Sequence, residues 1–422
     1  MKRLEKTDLS KCEELIRVLE EAKSQAETPV DAAAYDLWAQ YYRRLIRAKS
    51  QGRLIVGHNW FTPIDICRAM EMEPLCINGY AQIMAVTLGL EGGVSGASKA
   101  AGLAPELCGS HISSPGVALK GWMVEPDVAV WNHGPCDNTA KHGELFTELF
   151  GIPGFFLDPP YRGEDEAEIA YYTEQLRGLV RFLEDLTGRP MDWDRLREVM
   201  RLSAEIVNLR KEINELRKAV PCPSSIRWTG NYLTIFSFIW SGTPEGVAFH
   251  RLMRDEMKKR VAQGQGFIPQ ENYRVMFVGL PAAYDADFIN WMQVEKGISV
   301  VSEPGISHYL GWEPDYSKPL ESLARCRTYT TCWAMQGPLK EMWIPDAVAA
   351  AREYHVDGVM CWPARGCRQY PAALRAVADA IKREVGIPVV MMVDSDFNDP
   401  FFVSAEELMD NVEKALEIID KK

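Results

Sequence analysis

Three cysteines stand in loops of small and turn-forming residues, where a thiolate can meet a ligand. They are Cys108 in PELCGSH, Cys136 in NHGPCDN and Cys367 in ARGCRQY. Three converging thiolates in a reducing compartment imply a metal rather than disulfides. Zinc would want a fourth Cys or His to close its tetrahedron. An iron–sulfur cluster held by three thiolates keeps one iron open to water or substrate. The chain has 10 cysteines, at 12, 67, 76, 108, 136, 222, 326, 332, 361 and 367. None forms a C-x-x-C pair, so zinc ribbons and bacterial-ferredoxin runs are excluded on spacing. Spacing alone does not choose among the ten. Cys326/Cys332 and Cys361/Cys367 share a C-x5-C spacing, and Cys361 stands at the end of a strand pattern. Cys12, Cys67 and Cys222 read as small buried hydrophobes.

Two of these loops belong to one repeated plan. Asp127–Trp131 is a strand pattern, followed by NHGPCDN, a helix pattern over Thr139–Phe150 and then GIPGFFLD. Val356–Met360 is a second, followed by a loop with Cys361 and Cys367, a helix with Leu374, Val377, Ala378, Ile381 and Val385 on one face, and GIPVVMMVDSD. Parallel sheets bind ligands at the carboxyl ends of their strands, beside a switch in strand order. Cys136 and Cys367 are expected just past such ends, in equivalent places, with Cys108 in a loop of the Gly/Ser-rich stretch 92–121.

The rest of the chain supplies the scaffold. Residues 1–50 show helical spacing in Leu15, Ile16, Leu19, Leu37, Tyr41 and Leu45. RLIVG (53–57) predicts a strand, Pro63 opens a helix through Met70, and Leu75–Asn78 predicts the next strand, a β-α-β rhythm. Residues 164–219 predict two helices split at TGRP, the second capped by Asp192 or Asp194. Residues 220–250 read as a partly buried connector. The rhythm restarts at YRVMFVGLP, with a helix in DADFINWMQVEKG, a strand in ISVVSEP and a helix over Pro345–Tyr354. The expected division is N-terminal helices (1–50), a first α/β domain (51–163), a helical and irregular connector (164–264) and a second α/β domain (265–422).

Composition narrows the class. A chain of 422 residues, 47% hydrophobic and 25% charged, is a globular protein of two ordinary domains. A net charge of −12 that no basic stripe offsets argues against a nucleic-acid binder. MKRLEKTDLSK runs straight into a charged helical pattern, and no apolar run approaches the roughly 20 residues that span a bilayer. A cytoplasmic location is expected.

The order PELC-x10-LKG, strand, CDN, helix, GIP, then VDGVM-x6-CRQ, helix and GIPVVMMVDSDFNDP resembles the 2-hydroxyacyl-CoA dehydratase and benzoyl-CoA reductase family. GQGFIPQENYRVMFVGLP (264–281) is similar to the larger subunits of that family. The resemblance runs from about residue 40 to the C-terminus. It implies two Rossmann-like (flavodoxin-like) parallel-sheet domains holding a [4Fe-4S] cluster between them on Cys108, Cys136 and Cys367, with Cys361 and Cys332 as alternates. It also implies an acyl-CoA substrate, a related second subunit with its own cluster, and an ATP-hydrolysing iron–sulfur activator that injects one low-potential electron. In the dehydratases that electron makes a ketyl radical anion of a 2-hydroxyacyl thioester, and hydroxide leaves from C2. In the reductases electrons enter an aromatic ring. A related branch, homodimeric double-cubane [8Fe-9S] proteins acting on small molecules, would use the extra thiols. This chain lacks the further cysteine expected shortly after Cys108 in that branch.

Within that frame the open iron would act as a Lewis acid on a substrate oxygen, and a base must take the C3 proton. The candidates are His111, three residues after Cys108, and Asp65, on the first βα turn, with His58 and His133 at strand ends. Asp137 is suited to capping the helix after Cys136. Arg365 and Arg368 flank Cys367, where they would offset cluster charge, contact CoA phosphates or face solvent. Two rival readings are a partner subunit whose cluster only relays electrons, and an α/β protein with structural cysteines and no metal.

Overall fold

Eight short strands, six of them buried on both faces, dictate the architecture. The first four are β1 (Ile55–His58), β2 (Glu73–Cys76), β3 (Val128–Asn132) and β4 (Gly154–Leu157), and in β1 and β3 successive apolar residues enter opposite cores. Ile55 and Trp131 pack on one side, and Val56, Val128 and Val130 on the other. The same alternation sends Met276, Val278 and Val359 to one core and Val275, Phe277 and Met360 to another, from β5 (Tyr273–Gly279), β6 (Ile298–Ser302), β7 (Gly358–Trp362) and β8 (Val389–Met391). Strands apolar on both faces belong in parallel sheets covered by helices. The computed structural model shows two such sheets, all-parallel, in orders β2-β1-β3-β4 and β6-β5-β7-β8. The two orders are identical, so the internal repeat is a repeat of topology. The structure describes residues 4, 6–134, 136–160, 165–280, 286–304, 311–326, 339–394 and 403–421.

The first half of the chain is clothed by α1 (Ser10–Ser24), α2 (Pro29–Ser50), α3 (Ile64–Ala69), α4 (Ile77–Leu88), α5 (Glu91–Ala100), α6 (Gly109–Leu119) and α7 (Asp137–Phe150). Then follow α8 (Glu166–Thr187), α9 (Trp193–Leu216), α10 (Thr234–Ile239) and α11 (Pro244–Ala262). The expected cap is Asp192, whose side chain accepts from the Arg195 amide at 2.9 Å. The second sheet packs against helices at Ile344–Glu353, Gln369–Glu384 and Ala405–Asp420.

Four expectations shift. The second strand begins and ends two residues early, and Asn78 lies in α4. The Gly/Ser-rich stretch 92–121, where the sequence specified only a loop at Cys108, holds the helices α5 and α6. Their small residues serve helix-to-helix approach: a Cβ on Gly116 would lie 2.0 Å from the Val94 carbonyl oxygen, and Ser98 Oγ donates to the Ile112 carbonyl at 2.6 Å. The stretch 220–250 carries a π-helical turn (Arg227–Leu233), α10 and the start of α11. Finally, β7 runs on to Trp362, so Cys361 is a strand residue rather than a loop residue. Its register partners are Val278 and Met391.

Candidate functional site

At the carboxyl end of the first sheet, strand order reverses between β1 and β3, and two asparagines stitch the loops that leave there. Asn59 Nδ2 donates to the Asn132 carbonyl at 2.6 Å and the Gly134 carbonyl at 3.2 Å. Its Oδ1 accepts from Thr62 Oγ1 at 2.6 Å and from the Asn132 amide at 3.2 Å. Asn132 in turn donates to the Phe61 carbonyl and accepts from the Gly134 amide, both at 2.8 Å. All of Asn59, Thr62 and Asn132 are buried. Buried amides satisfied this fully fix the loops they join. The loop so held delivers Cys136 to the N-terminus of α7.

Each of the three predicted ligand cysteines precedes a helix. Cys108 is the N-cap of α6, Cys136 the N-cap of α7, and Cys367 stands two residues before the helix Gln369–Glu384. A helix N-terminus favours a thiolate over a thiol. Cys136 and Cys367 are half-buried, Cys108 buried. Cys136 Sγ lies 3.3 Å from Thr139 Oγ1. The second half of the chain reaches the first at this place. Gly366, with φ of +74°, sits so tightly on the PELC loop that a Cβ there would lie 2.5 Å from the Cys108 nitrogen. Only glycine tolerates both that φ and that approach. The loop after β7 and the loop before α6 are therefore in contact, with Cys367 and Cys108 on their adjoining residues.

The donor set fits an iron–sulfur cluster in kind and in its helix-terminal placement. Among the described residues, however, no three His, Cys, Asp or Glu side chains are grouped closely enough to hold a metal ion. The alternates differ from the three. Cys361 is fully buried in the core beneath β7, and burial pushes its thiol up to about 12. Cys67 and Cys76 are pushed up to about 12 in the same way, and Cys12 to about 11. A metal ligand must give up its proton, which a thiol so desolvated resists. Cys326 is buried beside Leu323 and Ala324. Cys332 lies outside the described residues.

His111 is the third residue of α6. Its ring packs edge-on against His142 of α7, centroids 4.6 Å apart, and its Nδ1 is buried with no hydrogen-bond partner. Burial lowers its pKa to about 4, so the ring is neutral. His142, which sequence reasoning passed over, is buried too. Ser114 Oγ donates to the Ser110 carbonyl at 2.8 Å, and its only proton is then committed. His142 Nε2, 2.9 Å from Ser114 Oγ, must carry the proton of that contact, leaving Nδ1 bare. The signal for His142 was available: Thr139, His142 and Phe146 fall at the helical spacing of the buried face of α7.

The other candidates are placed elsewhere. Asp65 is fully buried in α3 and accepts from Ser203 Oγ of α9 at 2.5 Å, so it faces a helix packing rather than the cysteine loops. His58, at the end of β1, shares its Nδ1 with the Asn59 carbonyl at 2.7 Å, leaves Nε2 buried and unpartnered, and has its pKa lowered to about 4 by burial. His133 pairs with Asp158 at 3.4 Å on the surface. Asp137 opens α7. Arg365 and Arg368 are exposed on the Cys367 loop.

A family model described as the D-component of 2-hydroxyglutaryl-CoA dehydratase matches residues 59–419. A benzoyl-CoA reductase subunit from Thauera aromatica is 23% identical over 424 residues, which cover 92% of this chain and 94% of that protein. The alpha subunit of (R)-phenyllactyl-CoA dehydratase from Clostridium sporogenes is 23% identical over 65% of this chain and 66% of its own length. The alpha subunit of (R)-2-hydroxyglutaryl-CoA dehydratase from Acidaminococcus fermentans is 22% identical over 71% of this chain and 62% of its own.

Proposed function

The chain belongs to the family of 2-hydroxyglutaryl-CoA dehydratase D-components, a family of 2-hydroxyacyl-CoA dehydratase and benzoyl-CoA reductase subunits, and on that footing we propose that it is the iron–sulfur subunit of an ATP-activated 2-hydroxyacyl-CoA dehydratase. Cys108, Cys136 and Cys367 would hold a [4Fe-4S] cluster. When bound, that cluster would supply a low-potential electron to the acyl thioester and an open iron as Lewis acid. The observation that carries the reading is the contact of Gly366 with Cys108, which joins the cysteine loops of the two halves. The chain's own residues do the rest. The Asn59–Asn132 network holds the Cys136 loop. His111, neutral and backed by His142, is in the form that accepts a proton and stands one turn from Cys108. Arg365 and Arg368 offer exposed guanidiniums to CoA phosphates or to the cluster's negative charge. The relatives named alpha subunits support a second subunit, and an ATP-hydrolysing activator completes the proposed system.

A reductase of the benzoyl-CoA type is the second reading. It is favoured by one observation: the match to the Thauera reductase covers nearly all of both chains, whereas those to the dehydratases cover less. The anaerobically prepared protein, reduced and mixed with acyl-CoA esters, tests both. A 2-hydroxyacyl-CoA should change the cluster's EPR spectrum under the first reading, and an aromatic acyl-CoA under the second. A spectrum unmoved by either contradicts an open iron and leaves a relay.

A further inference from the structure

At the opposite edge of the first sheet, a cleft of about 620 Å³ is walled by arginines in a chain of net charge −12. Gln40, Arg43, Arg44 and Arg47 of α2 line it at i, i+3, i+4 and i+7, one continuous helical stripe. Arg53, two residues before β1, adds a fourth guanidinium. Across the cleft Thr243, Pro244 and Glu245 form the start of the 19-residue helix α11, whose N-terminus is its positive end. Arg53 and the buried Glu73 behind it mark the amino ends of β1 and β2. The cysteine loops leave the carboxyl ends, so this cleft is separate from the candidate site.

Like charges at i, i+3 and i+4 disfavour a helix, so the stripe needs an explanation. Three carboxylates offset part of it. Glu73 pairs with Arg44 at 3.2 Å and Arg53 at 3.4 Å, Glu245 with Arg44 at 3.7 Å, and Glu20 with Arg43. Arg47 makes no ion pair with a described residue. Four guanidiniums against three carboxylates leave an excess of one, before the α11 terminus is added. The pair of Arg43 with Glu20 reaches solvent, where such contacts are weak, so an incoming anion displaces it cheaply. Arg44 is pre-positioned: its guanidinium lies 5.0 Å from the centre of the Trp240 ring and is braced by Glu73. Arg43 and Arg47 are roughly 6 Å apart along the helix, a span that two or three linked phosphates bridge and a single phosphate does not. Planar guanidiniums suit phosphate oxygens, and the volume matches a small-molecule site.

We propose that this cleft binds an oligophosphate, either free or as the phosphate chain of a nucleotide. Calorimetric titration of the full chain with tripolyphosphate and, separately, with ATP tests it. Saturable binding that weakens with salt is expected, and Arg47→Glu, at an exposed residue without an ion-pair partner, should weaken it at least tenfold with an unchanged circular dichroism spectrum. Arg251→Ala, an exposed arginine elsewhere on α11, should leave it unchanged. Equal affinity for the two ligands assigns the site to the phosphate chain alone, and tenfold tighter ATP assigns it to a nucleotide. Absence of saturable binding to both, or an Arg47→Glu protein that binds like wild type, overturns the proposal.

Discussion

At the scale of the residue, burial sorts cysteines that spacing leaves equivalent. Cys361 and Cys367 are six residues apart, yet one is sealed under a strand and the other is half-buried at the start of a helix. The nucleophile is the thiolate, and burial holds the Cys361 thiol protonated up to about pH 12. Iodoacetamide at pH 8 on the metal-free folded protein should therefore modify Cys136 while Cys361 reacts at least ~100-fold more slowly. Peptide mass mapping reads the order, and early labelling of Cys361 would refute this assignment. The sign is unambiguous: a thiol pKa raised in the folded state protects below that pKa and fails as pH rises through it. The sequence showed where thiols occur but not which of them point into a core. Strand β7 ran two residues further than its apolar pattern, because Cys361 and Trp362 are themselves core residues. The same limit applies to Asp65, whose turn-like position concealed a buried hydrogen bond to a helix 138 residues away.

At the scale of the element, the glycines of α5 and α6 carry opposite predictions. Gly116 lies against the Val94 backbone, whereas Gly96 has nothing within 4 Å of a built Cβ. Replacing a helical glycine by alanine gains about 0.5–1 kcal/mol of propensity. Overpacking a close helix contact costs about 1–3 kcal/mol. Gly96→Ala should raise the urea midpoint and Gly116→Ala should lower it; equal shifts of one sign would show that α5 and α6 do not approach as described. This pairing also explains why no helix was read in the stretch 92–121. Gly and Ser are loop formers by composition, and only the partner helix reveals that their smallness serves contact. By contrast, the strand–loop–helix–GIP–strand repeat was legible at once, since hydrophobic runs bounded by Gly and Pro carry their own punctuation.

At the scale of the whole molecule, two sheets of identical strand order are joined through their cysteine loops. The repeat in sequence predicted two α/β halves and the carboxyl-end placement of Cys136 and Cys367, and both follow from the parallel topology. How the halves meet was beyond the sequence, because the contact of Gly366 with the PELC loop joins residues 258 positions apart. That contact gives the account its central claim, that one cluster is shared by Cys108 and Cys136 from the first half and Cys367 from the second. The most direct test is iron and sulfide content after anaerobic reconstitution, in wild type and in the single Cys108→Ala, Cys136→Ala, Cys361→Ala and Cys367→Ala proteins. About four irons per chain are expected in wild type, unchanged in Cys361→Ala and lost in the other three. A Cys367→Ala protein that keeps its iron, or a wild type that takes up none, would contradict the claim.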